Sequence, residues 1–456
     1  MVSTAKVKDA INQSSPVSEA HRKKLFKLIE NTYQNNTNSD YTEKIEELDK
    51  NFNYISNRNH YWTYPEQSML YGTPLYEASS PSQKLALNHL HWFGMYGVTA
   101  DSENETIAYN QITADVFFTC GYETLARMLK LETEQEHFHI HAFHKISYKT
   151  MKALLGKDAF KVPLKVKARL DQVNNQGWAE QLMPASLLKF IAKRMLSSKK
   201  QYYAQYLREA EQTNNKLIPA STKGLIGRGL APESVQQFFA FNWGGSPFLA
   251  CQYYAVRIMA NMALKNTEHN VVKYFRQLHK KGEFIPAPTA ISYYHFLDES
   301  FHTTTSQLIA RDLYKNFPKP TPYEKLVANL AIYMMQRGIL SGLSAVSPDR
   351  YYADDCSLMY FVYKILQSPL FEMPPQEALH WVEKCFCHEH EGFQITAKYH
   401  QRLRADCCRF YQSLEHLWPV NREMRLMASE GTIDKALQSN RKTFQQFSKL
   451  LSRVGS

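Results

Sequence analysis

The sequence predicts an all-α fold in which a four-helix bundle is surrounded by additional helices, and three observations predict it. The segment ISYYHFLDESFHTTTS places His295, Glu299 and His302 at offsets of four and three, so on a helix they share one face. The upstream segment LETEQEHFHIHAF repeats the Glu-x-x-His spacing with Glu136 and His139. The C-terminal part of the chain has apolar residues at helical spacing and no strand-rich region.

The two Glu-x-x-His segments indicate what such a bundle would hold. They are typical of ferritin-like four-helix bundles, in which carboxylates and imidazoles of facing helices bind two iron or manganese ions. Carboxylates can bridge two metals, imidazoles fix the metals in place, and open coordination positions admit oxygen. For both motifs together a metal site is favoured over a merely polar helix face, because buried carboxylates and imidazoles without partners cost several kcal/mol.

Composition narrows the class of protein. The 456 residues can bury a large core, and 54 Lys and Arg against 43 Asp and Glu give a net charge of +11, which favours an acidic partner or substrate. The seven cysteines form no disulfide framework, no secretory hydrophobic region opens the chain, and no apolar run approaches the ~20 residues of a bilayer span. We expect a cytoplasmic protein with neither a membrane anchor nor a nucleic-acid partner.

The chain is predicted to have three regions. Residues 1–80 are polar, with helix-compatible pieces, and form an N-terminal helical layer at the periphery. Residues 81–317 form the dimetal bundle and carry a basic insertion at 157–230. Residues 318–456 form a C-terminal helical region that packs on the bundle and shapes a substrate entrance.

The first two bundle helices are predicted from the segments on either side of a polar run. The amphipathic SQKLALNHLHWFGMY forms a preceding helix, and DSENET then supplies the turn and N-cap of the first ligand helix. Glu105 stands at its start, 31 positions before Glu136, as suits an up-and-down pair of long helices. Glu103 with Glu134 and His137 gives the same spacing, so the register stays open by two residues.

The third bundle helix, predicted from Glu233 to Lys265, lacks a carboxylate. There is no Asp or Glu between Glu233 and Glu268, although a full dimetal ligand set needs a Glu from this helix. The segment offers Gly244 and Gly245 instead. The residues after Lys265 are predicted to form a separate, inserted helix before the fourth ligand helix.

These motifs in combination resemble the ligand helices of the diiron N-oxygenases of the AurF type. The resemblance covers roughly residues 105–302. The residues that carry it are Glu105, Glu136, His139, His295, Glu299 and His302, with Asp298 directly before the last carboxylate.

The missing third-helix carboxylate makes the chain resemble more closely the cyanobacterial dimetal halogenases of the CylC type. That resemblance implies a diiron enzyme of natural-product biosynthesis. It would use O2 and chloride to chlorinate an unactivated carbon of a fatty acyl chain, carried by phosphopantetheine on an acidic acyl carrier protein. An external electron donor is also implied. Losing one carboxylate opens a coordination position and removes one negative charge, which makes binding of a halide less unfavourable.

Within this interpretation each residue has a role. Glu136 and His139 help to hold one iron, and the His-Glu-His row of the fourth helix serves the other. Glu105 is a terminal or bridging carboxylate, and Asp298 orients a ligand histidine from outside the ligand set.

Gly244 and Gly245 are predicted to flank the halide. The alternative is that they allow close helix packing or a kink before Pro247. A shift in register would instead put the vacated position near Cys251.

Two other functions stay open. A carboxylate such as Glu268 could complete the ligand set, giving an N-oxygenase, hydroxylase or desaturase of the AurF type. A non-enzymatic helical carrier-binding protein would need no metal. The oligomeric state is open between monomer and homodimer.

Three further patterns in the sequence could have binding roles. The basic runs at 161–169, 193–200 and 280–281 are either solvated faces or a docking surface for the carrier protein. Lys223 or Arg228 of GLIGRGL could contact the phosphopantetheine phosphate. CFCHEHEGF lacks the separated ligand pairs of a zinc site and is predicted to be a helix end.

Overall fold

The structure is a computed structural model that describes residues 18–157, 185–196, 204–212 and 233–454. Every regular element in these ranges is a helix, which confirms the all-α prediction. The α-helices are α1 Glu19–Asn38, α2 Thr42–Asn51, α3 Tyr54–Asn57, α4 Pro74–Ala78, α5 Pro81–Thr119, α6 Glu123–Leu155, α7 Ala185–Leu196, α8 Gln205–Gln212, α9 Glu233–Gly245, α10 Pro247–Lys281, α11 Ala287–Arg311, α12 Pro322–Gly338, α13 Cys356–Gln367, α14 Pro375–Cys387, α15 Glu391–Tyr411, α16 Pro419–Arg422, α17 Arg425–Glu430 and α18 Ile433–Val454. Short 3-10 helices span Pro65–Gln67 and Leu313–Asn316.

Helices α5 and α6 form a hairpin of two long helices. Ser80 caps α5 through a capping box with Gln83, and α5 then runs for 39 residues, about 58 Å. The chain reverses at Gly121, whose φ of 89° lies in the left-handed region that glycine adopts without a steric penalty. Helix α5 continues through DSENET without a break, so the turn predicted there is wrong. The run contains neither Pro nor Gly, and its residue Glu103 is buried, so its polarity belongs to the protein interior rather than to a turn.

Helices α10 and α11 form a second hairpin. Helix α9 ends at Gly245, Ser246 caps α10 by accepting a hydrogen bond from the Leu249 amide, and Pro247 occupies the first turn. Helix α10 then continues without a break to Lys281 and ends at Gly282, with φ 65°. The predicted third helix is thus divided at Ser246, and the predicted inserted helix is the second half of α10.

The two hairpins pack against each other as a bundle of four helices. Helix α5 contacts α10, and α6 contacts α11, so each long helix touches its hairpin partner and one helix of the other hairpin. A buried apolar core joins them at one end. It includes Ile112, Val116, Met128, Leu129, Tyr254, Ile258, Leu308 and Ile309.

Other helices surround this bundle. Helices α1 and α2 of the N-terminal layer both pack against α6 and α11. Helices α12 and α15 contact α10, while α13, α14 and α18 build a second apolar core. Nowhere in the described ranges is a helix both long enough and apolar enough to cross a membrane.

The predicted basic insertion lies largely outside the described residues. This holds for the run at 161–169, for half of the run at 193–200, and for GLIGRGL with Lys223 and Arg228. The basic pair at 280–281 lies at the C-terminal end of α10. The CFCHEHEGF segment is a helix end as predicted, because α14 stops at Cys387 and α15 begins at Glu391.

Candidate metal centre

Six buried side chains from three bundle helices converge inside the bundle. They form two overlapping groups, and within each group one ligand atom of every residue lies within 4.8 Å of the others. Glu299 belongs to both groups. The first group is Glu103, His139, His295 and Glu299, and the second is Glu136, Glu299 and His302.

The helical spacings of the sequence produce the contacts within each helix. On α11, Nδ1 of His302 lies 2.7 Å from Oε1 of Glu299, three residues earlier. On α6, Nδ1 of His139 lies 3.2 Å from Oε2 of Glu136 at the same spacing. The Glu-x-x-His motif therefore places an imidazole and a carboxylate side by side on each helix.

Contacts between helices then close the cage. Nε2 of His295 lies 3.2 Å from Oε1 of Glu103 on α5. Nδ1 of His302 lies 3.3 Å from Oε1 of Glu136 on α6. The prediction that Glu136 and His139 serve one metal and the α11 row serves the other is thus revised. Side chains of facing helices interleave, so His139 groups with His295, and His302 groups with Glu136.

Each of the three imidazoles has one nitrogen at the cage and the other on an outer partner. Nε2 of His139 lies 3.3 Å from Asp298, and Nε2 of His302 lies 3.0 Å from the side-chain oxygen of Gln135. Nδ1 of His295 lies 2.6 Å from Glu268. An outer acceptor holds the ring proton on its own side and leaves the inner nitrogen free to bind a metal. Asp298 lies where the predicted orienting role requires, whereas Gln135 and Glu268 had no such role in the sequence interpretation.

The N-terminal layer supports two of these outer partners. Asn36 exchanges side-chain hydrogen bonds with Gln135, with donor–acceptor distances of 3.0 and 3.4 Å. The backbone amide of Tyr41 donates to Asp298 over 3.4 Å. Residues of α1 and of the α1–α2 connection therefore reach the outer side of the cage, which a merely peripheral layer would not do.

The first-helix carboxylate is Glu103 rather than Glu105. Two positions along a helix rotate the side chain by about 200°, so only one of the two can face the cage. Glu105 instead accepts a hydrogen bond from Gln236 on α9. The alternative partners on α6, Glu134 and His137, are exposed. The structure brings Glu103 together with Glu136 and His139, whereas the sequence spacing pairs Glu105 with Glu136, and Glu103 with Glu134 and His137.

Gly244 and Gly245 do not join the cage. A Cβ at Gly244 would overlap Leu207 of α8, and a Cβ at Gly245 would overlap Leu196 of α7. Gly244 also approaches Ile112, nine residues beyond Glu103 on α5 and so about 13 Å along that helix. The pair serves close helix packing ahead of α10, which was the alternative interpretation.

Helix α10 presents a cation and an amide to the cage where a carboxylate was expected. The Arg257 guanidinium donates to Glu132 over 2.6 Å and to Glu136 over 3.3 Å. The Asn261 amide donates to Glu299 and to Thr303, each over 3.3 Å. The sequence interpretation did not include either residue. Their spacing of four, which puts both on one face of α10, is the sequence signal that could have identified them.

The cage carries a large excess of buried acid. Glu103, Glu132 and Glu268 each have one buried carboxylate oxygen without a hydrogen-bond partner. Burial and the neighbouring Glu136 raise the pKa of Glu103 to about 8. Burial works in the same direction on Glu299, but the adjacent His302 outweighs it and lowers the pKa of Glu299 to about 2.

This excess indicates that the cage is built for cations. A buried carboxylate oxygen without a partner is costly, and a metal ion held by the first group would satisfy that of Glu103, whereas Glu132 and Glu268 lie outside both ligand groups. Carboxylate oxygens and imidazole nitrogens without thiolate are a donor set that suits iron or manganese. Among the residues that the structure describes, these two groups are the candidate metal clusters.

Fold and cage together define an all-helical protein with a candidate dimetal carboxylate centre. The family model described as Acyl halogenase CylC-like matches residues 24–448, nearly the whole chain. The chain belongs to this family of acyl halogenases, and that membership supports an enzyme that acts as a halogenase. No curated protein and no solved structure matches the chain.

Proposed function

We propose that the protein is an oxygen-dependent dimetal halogenase that chlorinates an unactivated carbon of a fatty acyl chain carried on an acyl carrier protein. One observation carries the proposal within the halogenase family. Three bundle helices supply a cage of carboxylates and imidazoles, while α10 supplies no carboxylate to either ligand group. The cage is therefore one acidic ligand short on the α10 side.

The described residues suit two metal ions in a ferritin-like arrangement. Glu103, His139 and His295 would hold one ion, Glu136 and His302 the other, and Glu299 would lie between them. Iron, with manganese as the other candidate, would supply activation of O2 and a coordination position for chloride. The buried carboxylate oxygen of Glu103 that has no partner supports such an occupancy.

The residues around the cage position its imidazoles and keep water away. The three histidine rings are held by Asp298, Gln135 and Glu268, so their orientation is fixed before a metal binds. The ring of Phe143 packs edge-on against His295 with centroids 4.9 Å apart. A dry, rigid cage limits side reactions with water.

Membership of an acyl halogenase family and the net charge support the proposed substrate and carrier. The net charge of +11 suits an acidic carrier protein that presents the acyl chain on phosphopantetheine. The reaction needs electrons from an external donor. Natural-product biosynthesis is the proposed setting.

An oxidation of the AurF type receives less support. It calls for a seventh protein ligand, and Glu268 is the acidic residue that α10 offers. Oε1 of Glu268 instead accepts a hydrogen bond from the Tyr96 hydroxyl over 2.7 Å and lies 2.6 Å from Nδ1 of His295. Glu268 thus contacts the outer side of a histidine and lies outside both ligand groups.

The test is a reconstituted assay. The purified protein is loaded with Fe(II) and given O2, chloride, a reductant and acyl carrier proteins with a series of chain lengths. We expect chlorinated acyl products by mass spectrometry and about two metal ions per chain. Hydroxylated or unmodified chains throughout the series would count against halogenation. A metal-free protein would favour a non-enzymatic carrier-binding role.

A further inference from the structure

We propose that the halide binds on the α10 side of the cage, beside Asn261 and between Arg257 and Lys265. The inference rests on the proposed halogenase function and replaces the Gly244–Gly245 prediction with a different site for the anion.

The position is identified by comparing the two hairpins. Helices α6 and α11 each supply a Glu-x-x-His pair, and their hairpin partners are α5 and α10. Helix α5 turns Glu103 toward the cage. The side chain of α10 that contacts the shared carboxylate Glu299 is Asn261, at 3.3 Å. Asn261 therefore stands where the second hairpin would be expected to supply its own carboxylate.

Two cations of α10 flank this position. Arg257, Asn261 and Lys265 are spaced by four residues and form one row on α10. Arg257 directs two of its five N–H donors at Glu132 and Glu136. Lys265 is half-buried one turn further on, with its ammonium 5.4 Å from the ring centroid of Phe296. The two N–H donors of the Asn261 amide are directed at Glu299 and Thr303, so an anion here would be bound by the metal ions and by the two cations that flank it.

Burial limits the anion to a small one. Arg257 is 4% exposed and Asn261 is 5% exposed, so a phosphate or a carboxylate-bearing molecule would need space that this packing does not show. A halide accepts hydrogen bonds from several directions, so it requires no particular arrangement of the surrounding donors. Its place beside the shared Glu299 would put it next to both metal positions.

The test uses a pair of variants that differ in charge and hardly in shape. Asn261→Glu adds back the missing carboxylate, and Asn261→Gln has the same length without the charge. Bromide is the probe, added to the anaerobic Fe(II)-loaded protein, and X-ray absorption detects bromine next to iron. We expect iron-bound bromide in the wild type, weaker bromide binding in Asn261→Gln because its side chain is longer, and a bromide affinity in Asn261→Glu at least tenfold weaker again than in Asn261→Gln.

The outcomes separate the halide site from the enzyme's function. Equal bromide binding by Asn261→Glu and Asn261→Gln would overturn this site while leaving the halogenase proposal in place. Absence of iron-bound bromide in the wild type would overturn halide binding at the metals, and this site with it. Metal content and circular dichroism establish that each variant is folded and loaded.

A second pair covers the case in which Asn261→Glu fails to fold. Lys265→Met removes one cation of the row, and Lys273→Met removes an exposed cation from the same helix. We expect several-fold weaker bromide binding only in Lys265→Met, with restoration in Lys265→Arg. Equal affinities in all three variants would overturn the inference.

Discussion

Helices α5 and α10 occupy equivalent places in the two hairpins, yet they present different chemistry to the cage. Helix α5 contributes the carboxylate of Glu103. Helix α10 contributes a guanidinium and an amide, Arg257 and Asn261, and its carboxylate Glu268 supports a histidine from outside. The comparison teaches that the cage is complete on one side and short of an acidic ligand on the other. Substitutions on both sides of the cage test that difference.

Glu299→Gln should have the largest effect, because Glu299 belongs to both ligand groups. We expect metal content to fall at both positions, and activity to drop by more than the ~10–100-fold that loss of an outer partner costs. Elemental analysis and the chlorination assay measure the two effects. The exposed Glu283→Gln is the control. A fully metal-loaded, active Glu299→Gln would show that the cage is not the metal centre.

Arg257→Met should cost stability next, because it leaves Glu132 and Glu136 buried without their cation. Removing one partner of a buried ion pair typically costs about 3–5 kcal/mol, which chemical unfolding of the metal-free protein would measure. The double variant Arg257→Met, Glu132→Leu should recover part of that loss. If the single variant unfolds at the same denaturant concentration as the wild type, Arg257 does not neutralise these carboxylates.

Glu268→Gln should have an intermediate effect that distinguishes an outer partner from a ligand. As an outer partner of His295, Glu268 should change metal affinity or activity by roughly 10–100-fold. Metal titration would measure this. Loss of metal as severe as in Glu299→Gln would instead make Glu268 the seventh ligand, and would move the function toward AurF-type oxidation.

Glu105→Gln should have the smallest effect, and Glu103→Gln supplies its contrast. Burial and the nearby Asp101 raise the pKa of Glu105 to about 8, so its carboxyl is largely neutral at pH 7 and an amide replaces it closely. We expect a stability change of about 1 kcal/mol or less and unchanged metal content. Glu103→Gln should lose metal. If the two outcomes were exchanged, the register on α5 would be wrong by two residues.

Much of the site was predictable because its side chains follow local helical spacing. The pairs on α6 and α11 depend only on offsets of three and four within one helix. Predicting them therefore requires no knowledge of how the helices pack against each other. The halogenase family was likewise indicated by the acid-free stretch before Glu268, although the glycine pair within it packs against α7 and α8.

The features that sequence reasoning missed depend on contacts between helices. The polar run DSENET resembles a turn, but Glu103 within it faces a buried cage, so tertiary structure overrides the local signal. Asn261 and Arg257 carry no motif of their own. Their roles become visible only when α10 is placed against the carboxylates of α6 and α11.

The most direct test is a crystal structure of the iron-loaded protein with bromide, using anomalous scattering at the iron and bromine absorption edges. Our prediction is two iron peaks inside the cage with Glu299 between them, no oxygen of α10 on either iron, and bromine beside Asn261. A Glu268 oxygen bound to iron, or a cage that takes up no iron, would contradict it.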